Sequence, residues 1–205
     1  MQVPRADITV PVPPEPETAV RRYVADPRRS RLEVHASSTF TGWQRITFDR
    51  WSAKVVRGKV VRVSVTVDMT TLKIALPDPA ESVIKTRLLE VHQFPLATLE
   101  GTIHAIGGDG ARAVPDEGEI TVEGLAHLHG VRRAIRFVGS LAPEGPTGYR
   151  FRARFLLSRL DFDIGFHDSW DTFLGNDVRI VLDIAGVEQK VEVEEVPDQP
   201  LPAPP

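Results

Sequence analysis

The chain has 205 residues, and 25 Lys and Arg against 28 Asp and Glu leave a formal net charge of −3. This near balance argues against a nucleic-acid-binding protein, which is usually strongly basic. Hydrophobic residues make up 41% of the chain, enough for a folded core, and the absence of cysteine excludes disulfides, thiolate metal sites and a cysteine nucleophile.

Proline marks the limits of the domain. Five of the 17 prolines lie in residues 1–20 and five more in residues 196–205. Because proline donates no backbone hydrogen bond and restricts φ, we expect disordered tails over 1–20 and 196–205 around one domain at 21–195. The first residues show no secretory signal and no stretch has the apolar length of a membrane span, so we expect a cytoplasmic chain that does not cross a membrane.

Alternation of apolar and polar residues predicts about eight strands. It is clearest at Val61, Val63, Val65 and Val67, which alternate with polar residues. Since successive side chains of a strand point to opposite faces, each segment has one apolar and one polar side, as in an antiparallel sheet with one face in water. The predicted strands are 31–37, 50–57, 59–69, 96–106, 118–128, 131–141, 148–158 and 177–185.

One helix is predicted over residues 79–92, between the third and fourth predicted strands. Asp78 fits an N-cap, Pro79 fits the first helical position, and Glu81 falls where a capping-box partner would. Pro95 ends the helical pattern. The apolar stripe of the predicted helix consists of Ala80, Ile84, Leu88 and Val91.

Eight amphipathic strands cannot all be covered by one helix. Their apolar faces can be buried by a sheet closed on itself or by two sheets packed face to face. Closure also removes exposed edges, and strands of ten or eleven residues suit a tilted barrel better than a compact sandwich. We therefore expect an all-β, eight-stranded antiparallel barrel with the helix at about 79–92. The interior of such a barrel is filled by side chains or holds one small ligand.

Several short motifs, in order, resemble those of the YceI-like, polyisoprenoid-binding family of bacterial lipid-binding proteins. They are YVADPRRS at 23–30, VDM at 67–69, LEVHQFP at 89–95, GLAHLHGVR at 124–132, RLDF at 159–162 and GNDVRI at 175–180. The resemblance implies a lipocalin-like barrel with an apolar tunnel for a long-chain amphiphile. The chain departs from the family at Asp163, where glycine is more common, and in an acidic extension at 187–196; many family members also carry an export leader.

The inward apolar residues are the candidate lipid-binding residues. Apolar walls gain roughly 25 cal/mol for each Å² of ligand surface removed from water and need few polar contacts. Every soluble barrel shows the same alternation, so a filled core remains the alternative. The candidates are Val63, Val65, Leu99, Ile103, Ile120, Val122, Ile135, Phe137, Phe151, Phe155, Ile180 and Leu182. Residues 38–48, with Phe40, Trp43 and Phe48, are candidates for the mouth or lid of the tunnel.

Histidines and carboxylates offer weaker candidates for a metal or catalytic site. His127 and His129 have a spacing that could bring two imidazoles to one metal, but pairing of 96–106 with 118–128 would place His104 near residue 121 and His127 near residue 98. We therefore expect exposed strand and turn histidines and no metal site. The other histidines are His35, His92 and His167.

Four carboxylates and a histidine are concentrated between Asp161 and Asp171, a composition compatible with acid–base chemistry or a hard cation. Alternation places Asp161 and Asp163 on the solvent face of a strand, so we expect a rim with Trp170 at the tunnel mouth. Glu119 and Glu123 are expected to offset a group of outward arginines. That group is Arg132, Arg133, Arg136, Arg150, Arg152 and Arg154.

The prediction is a non-catalytic protein that binds, carries or sequesters a long-chain isoprenoid, quinone-like or fatty-acyl lipid. We expect no cofactor and no nucleic-acid partner, and a homodimer is compatible with a sequence that carries no signal for oligomeric state. Two alternatives stay open at this stage. One is an enzyme that uses the barrel as a pocket, and the other is a filled barrel that interacts through its proline-rich tails.

Overall fold

The computed structural model describes residues 20–106 and 114–189. The predictions for 1–19, the GGDG turn at 107–110 and residues 190–205 lie outside these ranges. All strands belong to one antiparallel sheet. Their bounds are β1 Arg21–Ala25, β2 Arg31–Ser38, β3 Gly42–Phe48, β4 Trp51–Arg57, β5 Val61–Asp68, β6 Leu72–Ile74, β7 Leu96–Ala105, β8 Gly118–Leu128, β9 Val131–Pro143, β10 Gly148–Ser158 and β11 Asp177–Gln189.

Eight of these strands form a closed ring in the order β1, β4, β5, β7, β8, β9, β10, β11, and pairing of β1 with β11 completes it. The remaining strands β2, β3 and β6 extend one wall from β11, because β11 pairs with β1 near its end and with β2 near its start. The prediction of an eight-stranded barrel is confirmed. The register of β7 and β8 is also as predicted, with His104 opposite Thr121 and His127 opposite Thr98.

Three short strands were not predicted: β1, β3 and β6. β3 and β4 lie on either side of a break at Asp49 and Arg50, and β5 and β6 are separated by a 3₁₀ turn, Met69–Thr71. At these breaks Arg50 Nη2 lies 2.8 Å from Asp68 Oδ2, and Asp68 accepts from the Thr70 backbone N–H. The two bends direct β3 and β6 away from the ring to form the extended wall.

The helix is shorter than predicted. The α-helix α1 covers Asp78–Val83 and continues into a π-helical turn, Ile84–Leu88, whereas the predicted helix reached residue 92. Pro77 occupies the N-cap position without a side-chain cap, and Glu81 pairs with Lys85 at 2.5 Å, so the predicted capping box is wrong. Glu90 then adopts a positive φ of 42°, which ends the helical path.

The barrel core follows the predicted alternation. Its buried residues include Val61, Val67, Ile103, Val122 and Phe137, each from a different position along the inner face of the ring. A second, smaller cluster of Ala126, Phe162 and Ile164 lies where the chain leaves β10. None of the helices in residues 20–106 and 114–189 has the length and apolar run that a membrane crossing needs.

Two glycines bring β7 and β8 unusually close together. Gly101 and Gly124 face each other across the pair, and a Cβ added at Gly124 would lie 2.5 Å from the Glu100 carbonyl oxygen and 2.9 Å from the Gly101 Cα. Both neighbours are backbone atoms, so the contact cannot be relieved by rotating a side chain.

We expect Gly124→Ala to reduce the free energy of unfolding by about 2 kcal/mol, since the two strands must separate locally. Urea denaturation measures the change. Gly58→Ala is the matched control, because an added Cβ there meets only Val20 Cγ2 at 3.7 Å. Equal stability of the two variants would contradict this account of the strand spacing.

Candidate functional site

The interior of the barrel is hollow. The larger space, here called the outer chamber, has a volume of about 500 Å³ and lies between the extended wall, the helical segment and the start of β11. A volume of this size falls in the range of small-molecule sites, roughly 300–1,000 Å³. Its apolar walls include Val34, Ile46, Phe48, Val67, Met69, Leu72, Ile74, Ile84, Leu88, Leu89, Ala97, Leu128, Leu157, Phe162 and Val178.

A smaller space, here called the inner chamber, continues along the barrel. Its volume is about 90 Å³, and Val55, Val61, Leu141 and Ile184 are among its walls. Leu32, Val65, Leu99 and Leu182 line both chambers. Phe137 of the inner chamber stacks on Phe155 of the outer chamber with ring centroids 4.0 Å apart, so this pair lies where the chambers meet.

Eleven of the twelve predicted tunnel residues line these chambers. Ile135, Phe155 and Ile180 contact the outer chamber; Val63, Ile103, Val122, Phe137 and Phe151 contact the inner one; and Val65, Leu99 and Leu182 contact both. The exception is Ile120, which lines neither and is fully buried in the core. The alternative of a filled barrel does not agree with the structure, because apolar space runs through the region that those side chains surround.

A polar cluster lies at the far end of the inner chamber. Arg57 Nη1 lies 2.8 Å from Asp116 Oδ1, and the Tyr149 hydroxyl donates to the same carboxylate at 3.2 Å. Arg57 also donates to the Val114 carbonyl oxygen at 3.0 Å, and Tyr23 packs edge-on against Tyr149. Burial raises the pKa of Tyr149, which keeps its hydroxyl protonated as a donor. The polar groups of Arg57 and Tyr149, which line the inner chamber, are thus engaged with each other and with Asp116.

The mouth of the outer chamber is formed by three separate segments. Phe40 in the β2–β3 turn, Val83 in α1, and Trp170 with Phe173 in the 3₁₀ turn Ser169–Phe173 all line the chamber and are exposed. Of the three residues predicted for the mouth or lid, only Phe40 is at the mouth. Phe48 is buried in the core. Trp43 stacks under Arg179 at 4.9 Å and does not line the chamber. Hydroxyl and amide groups of Ser38, Thr41 and Gln44 lie beside Phe40.

Arg159 holds the long connection between β10 and β11 in place. Its side chain is only 6% exposed, and its guanidinium donates to the carbonyl oxygens of Ile164 at 2.6 Å, Gly175 at 3.2 Å and Asp171 at 3.3 Å. One side chain therefore ties together the middle and the end of the segment that carries Trp170. Sequence analysis had assigned Arg159 only to a family motif, because alternation cannot show which arginine will be buried.

We expect Arg159→Leu to lower the free energy of unfolding by about 3 kcal/mol, because the buried carbonyl groups and Asp171 lose their partner. Chemical denaturation followed by far-UV circular dichroism measures the loss. Arg133→Leu serves as the control, since the exposed Arg133 side chain donates only to the Asp161 carbonyl oxygen. A loss no larger than that of the control would rule out this anchoring role.

The carboxylates between Asp161 and Asp171 do not converge. Asp161 and Asp163 are exposed as predicted, but they lie in and after the 3₁₀ turn Arg159–Phe162, so their assignment to a strand was wrong. Asp168 accepts from the Trp170 backbone N–H and pairs with Arg87 at 3.2 Å. The left-handed φ of 55° at Asp163 explains why glycine suits this position, and aspartate is among the residues that tolerate it.

Asp171 organises the same segment from within. Burial raises its pKa, but hydrogen bonds from the backbone N–H groups of Phe166 and His167 and the charge of Arg159 outweigh this and lower the pKa below its usual range. The two hydrogen bonds measure 2.8 and 3.2 Å. The carboxylate is therefore a structural acceptor that favours the ionised form.

This shift has a defined pH dependence. Since the folded-state pKa is lowered, the contribution of Asp171 to stability is present above its unfolded pKa of about 3.9 and is lost as the pH falls through the folded value. We expect the difference in unfolding free energy between the wild type and Asp171→Asn to shrink from about pH 5 to pH 2. Urea titrations across this range measure it, with Asp161→Asn as the exposed control. A difference that stays constant would contradict the assignment.

The histidines are distributed over separate environments. His35 contacts Glu33 at 3.3 Å, His104 contacts Thr102 at 2.7 Å, and His127 is half-buried at the wall of the outer chamber. His92 and His167 are exposed. Among the described residues, no three His, Asp or Glu side chains are placed to hold one metal ion.

The prediction that His129 is an outward, exposed turn residue is wrong. It is buried against Phe94 at a centroid distance of 4.4 Å, and its φ of 52° takes it out of the strand alternation. Its Nε2 lies 3.2 Å from Glu90 Oε2, but neither ring nitrogen makes a hydrogen bond of suitable geometry. The contact joins the β8–β9 turn to the segment after the helix and places no imidazole in the chamber.

Three of the six outward arginines, Arg136, Arg150 and Arg152, pair with carboxylates, whereas Glu119 lies opposite Ser140. Arg136 pairs with Glu123 at 3.2 Å, as predicted, and Arg150 pairs with Asp183 and with Glu144. A side-chain hydrogen bond from Arg150 lowers the pKa of Asp183. These pairs explain how arginine-rich outer faces fit on neighbouring strands without an anionic partner.

The geometry defines a class of protein: a closed antiparallel barrel whose apolar interior opens to the surface at one end. The sequence model of the YceI-like domain matches residues 23–186, and the chain belongs to this family. No curated protein matches the sequence.

Solved structures share the fold. A polyisoprenoid binding domain from Saccharophagus degradans, implicated in plant cell wall breakdown, aligns with a TM-score of 0.66 at 15% identity over 82% of this chain and 98% of its own. BcnA from Burkholderia cenocepacia aligns with a TM-score of 0.65 at 16% identity, covering 78% and 98%. A Campylobacter jejuni YCEI mutant with a monobromobimane guest aligns at 0.54 and 12%, covering 71% and 84%.

Proposed function

We propose that the protein binds one long-chain apolar lipid, of isoprenoid, quinone-like or fatty-acyl type, and carries or sequesters it without chemical conversion. The observation that carries this proposal is the hollow apolar interior of about 500 and 90 Å³ in two adjoining chambers. Empty apolar space in a barrel sacrifices packing that a filled core would have, so a ligand that fills it restores those contacts.

The distribution of polar groups supports an amphiphile whose chain points inward. The walls are almost entirely apolar, and a polar ligand group inside would lose its hydration without compensation. At the mouth, Ser38, Thr41 and Gln44 provide groups that a polar head could contact beside water. The narrower inner chamber then accepts the end of a chain that passes the Phe137–Phe155 pair.

The engagement of the titratable groups near the chamber supports binding without conversion. Arg159 and Asp171 bind the backbone of their own segment, and Asp168 pairs with Arg87. General acid–base chemistry needs a group within hydrogen-bond reach of the reacting atoms, and these groups are turned to the protein. The fold relatives include a domain described as polyisoprenoid binding, which agrees with this class of ligand.

The proposal can be tested by a substitution in the chamber wall that fills the outer chamber with a larger side chain. Ala97 is a half-buried inward residue of β7 that lines the outer chamber, and Ala97→Phe would place a ring in that space. After delipidation, titration with 11-(dansylamino)undecanoic acid should give a blue-shifted, saturable signal with wild type. We expect Ala97→Phe to weaken the apparent affinity by about tenfold or more, because the ring takes the volume of the chain.

The matched control is Ala134→Phe, the same substitution on the exposed outer face of β9. It should bind the probe as wild type does. Native mass spectrometry of protein purified without detergent gives a second readout, with a co-purifying lipid expected in wild type and its loss in Ala97→Phe. Wild-type affinity in Ala97→Phe, or no binding by wild type in either assay, would refute the proposal.

A further inference from the structure

An exposed aromatic cluster surrounds the mouth of the outer chamber. Phe40 is 66% exposed and Trp170 54%, and Phe173 is also exposed. The ring centroids lie 4.6 Å apart for Phe40 and Phe173, 5.9 Å for Trp170 and Phe173, and 6.3 Å for Phe40 and Trp170. The three rings come from two segments far apart in the chain, so tertiary structure builds one contiguous apolar surface where a monomer in water would favour polar residues.

We propose that this aromatic rim, consisting of Phe40, Val83, Trp170 and Phe173, docks on the surface of a lipid bilayer and aligns the chamber mouth with the lipid phase. The inference rests on the proposed function and names the partner from which the ligand is taken up or to which it is delivered. All four residues line the outer chamber as well as the surface, so the docking face and the entrance of the cavity are continuous.

The residue types agree with this partner. Tryptophan is enriched at the level of the lipid headgroups, where its apolar ring and its polar N–H are both accommodated, and phenylalanine buries its ring at the same boundary. A long-chain lipid that leaves a bilayer through water exposes its whole chain, whereas a docked mouth keeps the chain in apolar surroundings throughout.

The charges around the rim indicate a neutral bilayer surface. Residues 36–44, which carry Phe40, contain no charged side chain. Beside Trp170, Asp168 pairs with Arg87 at 3.2 Å and Asp171 pairs with Arg159 at 3.3 Å, while Glu81 and Lys85 pair next to Val83. With these charges compensated locally, insertion is driven by apolar area and not by attraction to anionic lipid.

The experiment is vesicle flotation with extruded phosphatidylcholine vesicles, using the full chain. Wild type should float with the vesicles to a similar extent at about 0.1 M and about 1 M salt, where the Debye length falls from about 10 Å to about 3 Å. Trp170→Ser and Phe40→Ser should each reduce the partition coefficient by about tenfold, equivalent to roughly 1.4 kcal/mol.

Trp43→Ser is the matched control. Trp43 is 53% exposed, nearly the same as Trp170, but it stacks with Arg179 and does not line the chamber. This variant should float as wild type does. Thermal unfolding of all three variants checks that a loss of flotation does not come from misfolding. The two rim substitutions lie in separate segments, so misfolding could explain the result only if it affected both variants.

Failure of docking and failure of lipid binding can be told apart. Ala97→Phe should lose the dansyl probe yet still float, because its change lies inside the chamber and leaves the rim intact. Binding of the probe by wild type without flotation would overturn the docking proposal alone. Flotation without probe binding by wild type would overturn the proposed function and the role of the rim in loading.

If the rim binds a partner other than a neutral bilayer, the experiments give different results. Flotation that requires anionic lipid and disappears at high salt would overturn the neutral-surface mechanism. A wild-type dimer in sedimentation that Trp170→Ser converts to a monomer, with no flotation, would assign the rim to a second copy of the chain and overturn membrane docking. Flotation of Trp170→Ser and Phe40→Ser at the wild-type level would also refute docking of the aromatic rim on a bilayer.

Discussion

The pairing of β1 with β11 closes the sheet, and the other features of the protein follow from this closure. A closed ring of eight strands directs one side chain of every two toward a common axis and leaves no free edge in the ring. The ring turns the apolar faces away from the surrounding solvent whether or not they fill the volume between them. In this chain they do not, and the interior remains as two adjoining apolar chambers.

The unequal size of the chambers has a structural cause. Near the inner chamber the ring is narrow, with the Phe137–Phe155 stack at its boundary and the Arg57–Asp116–Tyr149 cluster at its end. Toward the other end of the barrel, β11 pairs with β2 and no longer with β1. The bends after β3 and β5 displace the wall outward there. The helical segment between β6 and β7 and the β10–β11 connection then form the mouth, the latter secured by Arg159.

The proposed lipid binding and the proposed membrane docking place different demands on the same segments. A chamber needs a rigid wall, and the hydrogen bonds of Arg159 and Asp171 provide it for residues 159–176. A docking rim needs exposed apolar rings, and the same hydrogen bonds fix the segment that carries Trp170 and Phe173. The polar anchors and the exposed aromatic residues therefore belong to one arrangement, in which buried polar contacts keep Phe173 and Trp170 at the surface.

Much of the barrel could be predicted from local pattern. Alternation identified eight of the strands, and eleven of the twelve residues that it assigned to the tunnel line a chamber, because a strand's period of two directly reports which side chains share a face. Predictions from alternation failed where the chain does not continue as an extended strand. His129 has a left-handed φ, Arg159–Phe162 form a 3₁₀ turn, and strands β1 and β6 are too brief for periodicity to be visible. The predicted helix was too long because Glu90 adopts a left-handed φ, which the apolar spacing of the sequence does not reveal.

The amino-acid sequence by itself determined the closed all-β architecture, the family and the inward apolar faces, since these depend on residue type and spacing along single strands. Only the tertiary structure decided that the interior is hollow, that Arg159 is buried, and that Phe40 meets Trp170 and Phe173 at the mouth. The hollow interior depends on the radius of the closed ring, and the meeting of Phe40 with Trp170 and Phe173 depends on segments more than a hundred residues apart. The burial of Arg159 depends on how the connection from β10 to β11 folds around its side chain, and alternation along a strand carries none of this information.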